Sequence, residues 1–282
     1  MRKSVNWDEK VVGDYRERIL VDCDSPLLAF KANRDRYTNI RNQGEYAGLP
    51  HLGSYHSEDA LTWNVFRSLQ QYGHLHIVAA ELGIGEPRGM LLWTIAPEPD
   101  EMSCKLQYAM GAIIRNFDGR LPGQISEPDV IILGTIGVAV IECKLSEPDR
   151  TPSHMWEGSI DSVRKRRHVY EKEIPGLFKE FTTDEVIVPV YQLTRMAFYA
   201  MKIAEAFAVE PFLISLVNER NWEQETRKFG KSSSELWDNF CSQVLGTNSP
   251  QCKALTWQNL RPLFQDQSLG ELTSYLSTHP CL

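Results

Sequence analysis

Residues 126–144 read SEPDVIILGTIGVAVIECK. They contain two short apolar runs, 130–133 and 138–141, each bounded by turn-forming residues, which is the usual signal of a β-strand. Gly134 and Gly137 flank the turn between the runs, where glycine can adopt a positive φ at little cost. The stretch therefore predicts a β-hairpin with polar residues at its open end.

The register of this hairpin can be counted from its turn. A symmetric loop centred on Thr135–Ile136 pairs Leu133 with Val138 and, further along, Asp129 with Glu142. Directly opposed residues have Cβ atoms about 4.5–5.5 Å apart, so this register brings two carboxyl groups together. A slip of one residue would separate them, so the inference depends on a symmetric loop.

The second strand presents its side chains alternately to the two faces of the sheet. Glu142 and Lys144 share one face, and Cys143 points to the other. The Cys143 thiol is therefore outside the acid cluster, whereas its backbone carbonyl is a candidate metal ligand. The alternative interpretation is a surface hairpin that ends in an ordinary Glu/Lys pair.

Two opposed carboxylates repel each other unless a cation lies between them. Hard oxygen ligands select Mg²⁺ or Mn²⁺, with waters completing the coordination shell. Such a metal can polarise a phosphoryl oxygen and supply a hydroxide nucleophile. We expect Asp129 and Glu142 to be metal ligands, and Lys144 to stabilise the developing charge or to position the attacking water.

These residues resemble the motif of the PD-(D/E)xK nuclease superfamily. Pro128-Asp129 matches the PD element, and Glu142-Cys143-Lys144 matches the (D/E)xK element. The resemblance implies an α/β fold with a restriction-endonuclease-like core, in which a central mixed β-sheet is flanked by helices. It also implies the order helix, three antiparallel strands, helix, strand, and an enzyme that hydrolyses phosphodiester bonds.

A helix is predicted upstream of the hairpin, with Ser57 as its N-cap and acids in its first turn. Glu58 lies on the inward stripe of this helix, and Asp59 points about 100° away. The resemblance makes Glu58 a candidate catalytic residue and third metal ligand. The alternative is an ordinary first-turn acid that the helix dipole favours.

A second helix, predicted over 190–207, has apolar residues at helical spacing. Gln192 and Tyr199 share a stripe with Arg195 nearby, and RecB-like members of the superfamily carry a Gln and a Tyr on this helix. The resemblance implies that Gln192 orients a water or a metal ligand, and that Arg195 or Tyr199 contacts phosphate. The tyrosine spacing is longer than the commonest RecB-like form, and a solvent-facing polar stripe is the alternative.

Three further elements complete the expected order. The apolar run 89–95 predicts a first strand, 102–117 a helical insertion, and 211–217 the strand that follows the second helix.

A basic cluster precedes the second helix in a predicted helix over 156–174. Its residues are Arg164, Lys165, Arg166, Arg167 and His168. Such clusters suit phosphate contacts, and a solvated face paired with nearby glutamates is the alternative. The net charge of −7 disfavours nonspecific coating of DNA but allows a local binding groove.

The composition of the 282 residues favours a cytoplasmic enzyme with no membrane partner. There is no signal peptide and no apolar run long enough to span a bilayer. Six cysteines at scattered positions indicate free thiols in a reducing compartment. We divide the chain into an N-terminal extension, 1–56, and a nuclease-like domain, 57–282. The extension is turn-rich and contains Arg34, Arg36 and Arg41, which could touch substrate or a partner.

The sequence thus predicts an Mg²⁺- or Mn²⁺-dependent endonuclease that acts on DNA. It could be the cutting subunit of a defence or mobile-element system, acting as a homodimer or within a larger complex. Two alternatives remain, namely a catalytically silent nucleic-acid-binding or scaffold module on the same fold, and a nuclease directed at RNA.

Overall fold

The computed structural model describes residues 9–35, 47–118, 127–145, 158–223, 230–280 and 282. The sheet strands are β1 (Pro87–Leu92), β2 (Val130–Gly134), β3 (Gly137–Lys144), β4 (Glu210–Val217) and β5 (Gln251–Thr256). The helices are α1 (Pro26–Arg34), α2 (Glu58–Gln71), α3 (Leu75–Leu82), α4 (Glu101–Ile113), α5 (Ile160–Glu173), α6 (Asp184–Ile187), α7 (Tyr191–Phe207), α8 (Glu219–Trp222), α9 (Ser233–Asn239), α10 (Trp257–Leu260) and α11 (Gly270–Thr278). A π-helical turn, Ile114–Asp118, extends α4.

The five strands form one mixed sheet in the order β1-β2-β3-β4-β5. The β1–β2 and β2–β3 pairs are antiparallel, whereas the β3–β4 and β4–β5 pairs are parallel. Helices cover both faces, so the predicted α/β class with a central mixed sheet is confirmed. The order α2, β1-β2-β3, α7, β4 is also the order expected for a restriction-endonuclease-like core.

Each face of the sheet buries its own hydrophobic cluster. Ile132, Ile141 and Cys143 belong to the cluster that includes side chains of α1, α2, α3 and α11. Ile131 and Val140 belong to the cluster on the other face, with α4, α5, α7 and α9. Because both faces are covered, β2 and β3 are apolar throughout rather than alternating with polar residues.

The first strand is shorter than the apolar run 89–95 suggested. β1 ends at Leu92, and Trp93 and Thr94 have φ values of +50° and +69°. A tight turn follows, in which the Ile95 N–H donates to the Leu92 carbonyl at 3.0 Å. The Trp93 N–H meanwhile donates to the Asp129 carbonyl at 3.1 Å, so the turn is tied to the start of β2.

Gly134 and Gly137 were expected to allow a positive φ in the turn, but the structure requires glycine at both positions for another reason. Neither residue has a positive φ. A Cβ at Gly134 would lie 2.1 Å from the Ile84 carbonyl oxygen, and one at Gly137 would lie 2.5 Å from the Phe212 ring. Close packing of the hairpin against its neighbours, rather than turn conformation, therefore selects glycine at both positions.

The N-terminal segment packs into the same core as the rest of the chain. The Trp63 indole N–H donates to the Val21 carbonyl at 2.9 Å, and the Asn64 amide accepts from the Leu20 N–H at 2.8 Å. The predicted boundary at residue 56 therefore does not separate two cores among the described residues. Arg34 ends helix α1 rather than lying in a turn, and Arg36 and Arg41 lie outside the described residues.

No helix among the described residues has the length and apolarity needed to cross a membrane. The five described cysteines are free thiols, as expected, and Cys281 lies outside the described part of the chain.

Candidate active site

The hairpin has the symmetric register that the sequence predicts. Leu133 pairs with Val138 and Val130 pairs with Ile141, and the next step places Asp129 opposite Glu142. The Asp129 carboxylate accepts a hydrogen bond from the Cys143 N–H at 2.7 Å. The first acid is therefore fixed to the backbone of the strand that bears the second.

Helix α2 places a third acid at the same end of the sheet. The Ser57 hydroxyl caps the helix by accepting from the Ala60 N–H at 3.1 Å, so the helix begins at Glu58 as expected. The Glu58 carboxylate accepts from the Leu145 N–H at 2.9 Å and from the Lys144 ammonium at 3.3 Å. The start of α2 is thus tied to the end of β3.

Lys144 lies between two of these acids. Its Nζ is 2.7 Å from Glu142 Oε1 and 3.3 Å from Glu58 Oε1. The side chains of Glu142, Lys144 and Glu58 are 5%, 16% and 28% exposed, so the cluster is sheltered but open on the Glu58 side. The structure therefore brings together four of the predicted site residues, namely Asp129, Glu142, Lys144 and Glu58.

Burial and the charges of the neighbouring groups shift the pKa of each of these four side chains. Burial raises the pKa of Asp129 and of Glu142 to about 7, because Lys144 offsets only part of the penalty. The pKa of Glu58 is raised by the same two effects. Burial lowers the pKa of Lys144, but the attraction of the acids outweighs it and holds the pKa well above its usual value. The single positive charge of Lys144 cannot neutralise three ionised carboxylates.

The donor set fits a hard divalent cation. Asp129 and Glu142 supply carboxylate oxygens, and the Cys143 thiol is buried on the other face, which leaves its carbonyl as the only candidate donor of that residue. Glu58, the third predicted ligand, bonds Lys144 and the Leu145 N–H, and its role as a metal ligand stays a prediction. In the described residues no three Asp, Glu, His or Cys side chains stand ready to hold an ion together.

Gln192 is placed by topology at this end of the sheet. Helix α7 is the last helix between β3 and the parallel strand β4 and ends just before β4 begins, so its first turn lies toward the end of the sheet where Lys144 stands. Gln192 is the second residue of α7 and is half-buried. The role of Gln192 at the acid cluster stays a prediction.

Three residues predicted to contact nucleic acid surround a buried aspartate instead. Asp118 accepts from Arg166 Nε at 2.9 Å and from the hydroxyl of Tyr199, and Arg195 Nε lies 3.7 Å from it. Tyr170 also donates to Asp118, at 2.8 Å. All five side chains are buried, and we call them the Asp118 cluster.

This placement differs from the expectation that the basic cluster of α5, and Arg195 or Tyr199, contact nucleic acid. Five consecutive helical residues point in all directions, and Val163, Arg166 and Tyr170 form the inward stripe of α5. A direct phosphate contact by Arg166, Arg195 or Tyr199 would require this buried cluster to open. Asp118 was missed from the sequence, although it directly follows the predicted helical insertion.

Of the other basic residues in this run, Arg164 and His168 are exposed and Arg167 is half-buried. Arg164 and Arg167 are 3.4 and 3.3 Å from the Asp184 carboxylate of α6, and Arg167 also pairs with Glu171 at 2.9 Å. Lys165 is exposed. The exposed basic surface of α5 is therefore narrower than the run of four Arg and Lys residues suggested.

The sheet, its helices and the acid cluster define a restriction-endonuclease-like α/β protein. A family model described as "Restriction Endonuclease associating with ARP" matches residues 15–279, so the chain belongs to this family. A restriction-endonuclease family implies hydrolytic nuclease activity on a nucleic acid. Searches of curated proteins and of solved structures found no match.

Proposed function

We propose that the protein is a metal-dependent endonuclease that hydrolyses phosphodiester bonds in DNA. The observation that carries the proposal is the opposition of Asp129 and Glu142 beside Lys144 at the sheltered end of the hairpin. The buried Glu142 and the half-buried Asp129, both with raised pKa values, and one nearby ammonium form a site that a divalent cation would complete. The family match supports nuclease chemistry, and the motif resemblance supports these residues as its centre.

Asp129 and Glu142 would hold Mg²⁺ or Mn²⁺, with the Cys143 carbonyl as a further donor. When bound, the metal would polarise the phosphate and lower the pKa of a coordinated water. Lys144 would face the scissile phosphate and stabilise the charge that develops on it. Glu58 would hold the Lys144 ammonium in place, as its 3.3 Å contact indicates, and Gln192 would orient water or a ligand.

We further propose that the protein cuts as part of a defence system. The family description pairs the endonuclease with ARP, which supports a partner protein. Arg164, Lys165 and Arg167 of α5 would supply phosphate contacts. Arg164 and Lys165 are exposed, whereas Arg167 is half-buried and would exchange Glu171 and Asp184 for phosphate. A homodimer would supply two metal sites for cutting both strands, and sedimentation velocity would detect it.

A cleavage assay tests the catalytic proposal. Purified protein is incubated with supercoiled, linear and single-stranded DNA and with RNA, with Mg²⁺, Mn²⁺ or EDTA. We expect DNA cleavage that requires the metal and falls at least 100-fold, on the order of the loss of one electrostatic catalytic group, in Asp129→Asn and Lys144→Ala.

Lys105→Ala is the matched control, because Lys105 also pairs with a glutamate, Glu101, but is exposed on α4. Cleavage that persists undiminished in Asp129→Asn and Lys144→Ala would reject the site. Metal-independent nucleic-acid binding with no cleavage under any condition would favour the silent binding module, and cleavage restricted to RNA would replace DNA as substrate.

A further inference from the structure

Helix α1 is attached to both elements that carry the site acids. Arg34 Nη1 is 2.9 Å from the Glu127 carboxylate, two residues before Asp129. Lys31 Nζ is 3.1 Å from the Asp59 carboxylate, in the residue that follows Glu58. The helix therefore borders the acid cluster from the side where α2 and β2 begin.

A third link runs through the strained turn after β1. The Lys31 ammonium lies 4.8 Å from the centre of the Trp93 ring, and the Trp93 N–H donates to the Asp129 carbonyl at 3.1 Å. Trp93 in turn stacks on Trp63 of α2, with ring centres 6.0 Å apart. The position of α1 relative to the acids is thus determined by three separate contacts.

The outer face of α1 presents an aromatic ring beside a guanidinium. Leu27, Leu28 and Ala32 of α1 are buried, whereas Phe30 is 53% exposed. Arg34 lies one turn further on, with its Cζ 5.6 Å from the centre of the Phe30 ring. An exposed ring stacks well on a nucleobase, and an adjacent arginine reaches the phosphate of the same strand.

We propose that α1 forms one wall of the substrate path, where Phe30 stacks on an unpaired base and Arg34 contacts the neighbouring phosphate. This inference rests on the proposed nuclease function and specifies its substrate, a DNA strand with an unpaired base close to the scissile bond. An unpaired base is required because a base inside a duplex is already stacked on both faces.

Arg34 can make this contact without breaking a strong interaction. Its side chain is 36% exposed and its partner Glu127 is 30% exposed, and its second partner, Asp35, is 34% exposed. Ion pairs at such exposure are weak and exchange readily. Phosphate therefore competes with Glu127 and Asp35 for the guanidinium, and the released carboxylates remain solvated.

The test measures binding without cleavage. Fluorescence anisotropy with Ca²⁺ in place of Mg²⁺ gives the Kd for labelled single-stranded DNA, blunt duplex DNA and single-stranded RNA. We expect wild-type protein to prefer single-stranded DNA over blunt duplex. Phe30→Ala should weaken that binding by about 5- to 150-fold, the range expected for loss of one base–aromatic stack. Phe30→Tyr, which keeps the ring, should bind like the wild type.

Phe181→Ala is the matched control, because Phe181 is 89% exposed in the loop before α6. It should bind like the wild type. A 2-aminopurine base in the single strand should lose fluorescence on binding the wild type and Phe30→Tyr but not Phe30→Ala, a signal that a merely structural role of Phe30 would not give.

The inference is overturned if Phe30→Ala binds single-stranded DNA within twofold of the wild type, or if Phe181→Ala loses as much affinity. A wild-type preference for blunt duplex would also overturn it, and tighter binding of RNA would overturn the choice of DNA. These outcomes leave the nuclease proposal intact when Asp129→Asn still abolishes cleavage. A wild-type protein that binds none of the probes overturns the inference, whereas the nuclease proposal is judged by the cleavage assay alone.

Discussion

At the scale of single residues, the balance of charge around Lys144 controls the protonation of the site acids. Asp129, Glu142 and Glu58 face one ammonium in a sheltered place, so the acids have raised pKa values. Ionising them without a cation is unfavourable in the folded protein. The acid cluster therefore couples proton release to folding stability, and the proposed metal would be coupled to both.

A pH dependence of stability follows from these shifts. The pKa of Asp129 rises from its ordinary 3.8, and that of Glu142 from its ordinary 4.5, to about 7. Between about pH 4 and pH 7 the folded protein binds more protons at these groups than the unfolded chain does. Their contribution to the free energy of unfolding is therefore full below pH 4 and is lost as the pH rises through 7. Urea unfolding in EDTA across this range measures it.

The control is the double variant Asp129→Asn/Glu142→Gln, which should lack this contribution. The difference between wild type and variant is the quantity to compare, because buried His279, whose pKa is lowered to about 3, contributes the opposite slope. At pH 8, Mg²⁺ at 100 times its Kd should stabilise the wild type by about 2.7 kcal/mol and the variant much less. A wild type and variant with parallel pH profiles would contradict the account.

At the scale of elements, local pattern and long-range packing were predictable to different degrees. The hairpin register could be counted from Thr135–Ile136 because neighbouring strands are joined by a short loop. Helix α2 was visible from its Ser57 cap and its apolar spacing, and helix α7 from its apolar spacing alone. The burial of Arg166 was not, because its partner Asp118 lies 48 residues away in sequence. The roles of Gly134 and Gly137 also depend on distant neighbours, Ile84 and Phe212.

The Asp118 cluster should be a major source of stability for the α4–α5–α7 layer. Burial and Asp118 hold the pKa of Tyr199 well above its usual value, so its phenol remains a hydrogen-bond donor. Tyr199→Phe should lower the free energy of unfolding by about 1.5–3 kcal/mol, the usual contribution of a hydrogen bond to a charged group. Asp118→Asn should lower it by about 3–5 kcal/mol, because it leaves the Arg166 charge buried without its partner.

Tyr108→Phe is the control for this prediction, since Tyr108 is 75% exposed on α4. It should shift the urea midpoint by little, as surface substitutions usually do. If Tyr199→Phe is no more destabilised than Tyr108→Phe, the cluster does not support the fold in this way.

At the scale of the whole molecule, residues on both sides of position 56 form one structure. The segment that the sequence suggested as an extension supplies Val21 and Leu28 to the core and carries α1 to the edge of the site. The sequence did not reveal this, because the residues that the segment packs against, such as Trp63, are far along the chain. The family match from residue 15 likewise crosses the predicted boundary.

The central claim is that Asp129 and Glu142 hold a catalytic divalent cation. A crystal of the protein soaked in Mn²⁺ and measured at the manganese absorption edge tests it most directly. We predict an anomalous peak about 2.0–2.3 Å from a carboxylate oxygen of each acid, as expected for a small divalent ion with oxygen ligands, and its loss in Asp129→Asn. Fully ordered acids with no peak between them at pH 8, or a peak that persists in Asp129→Asn, would contradict it.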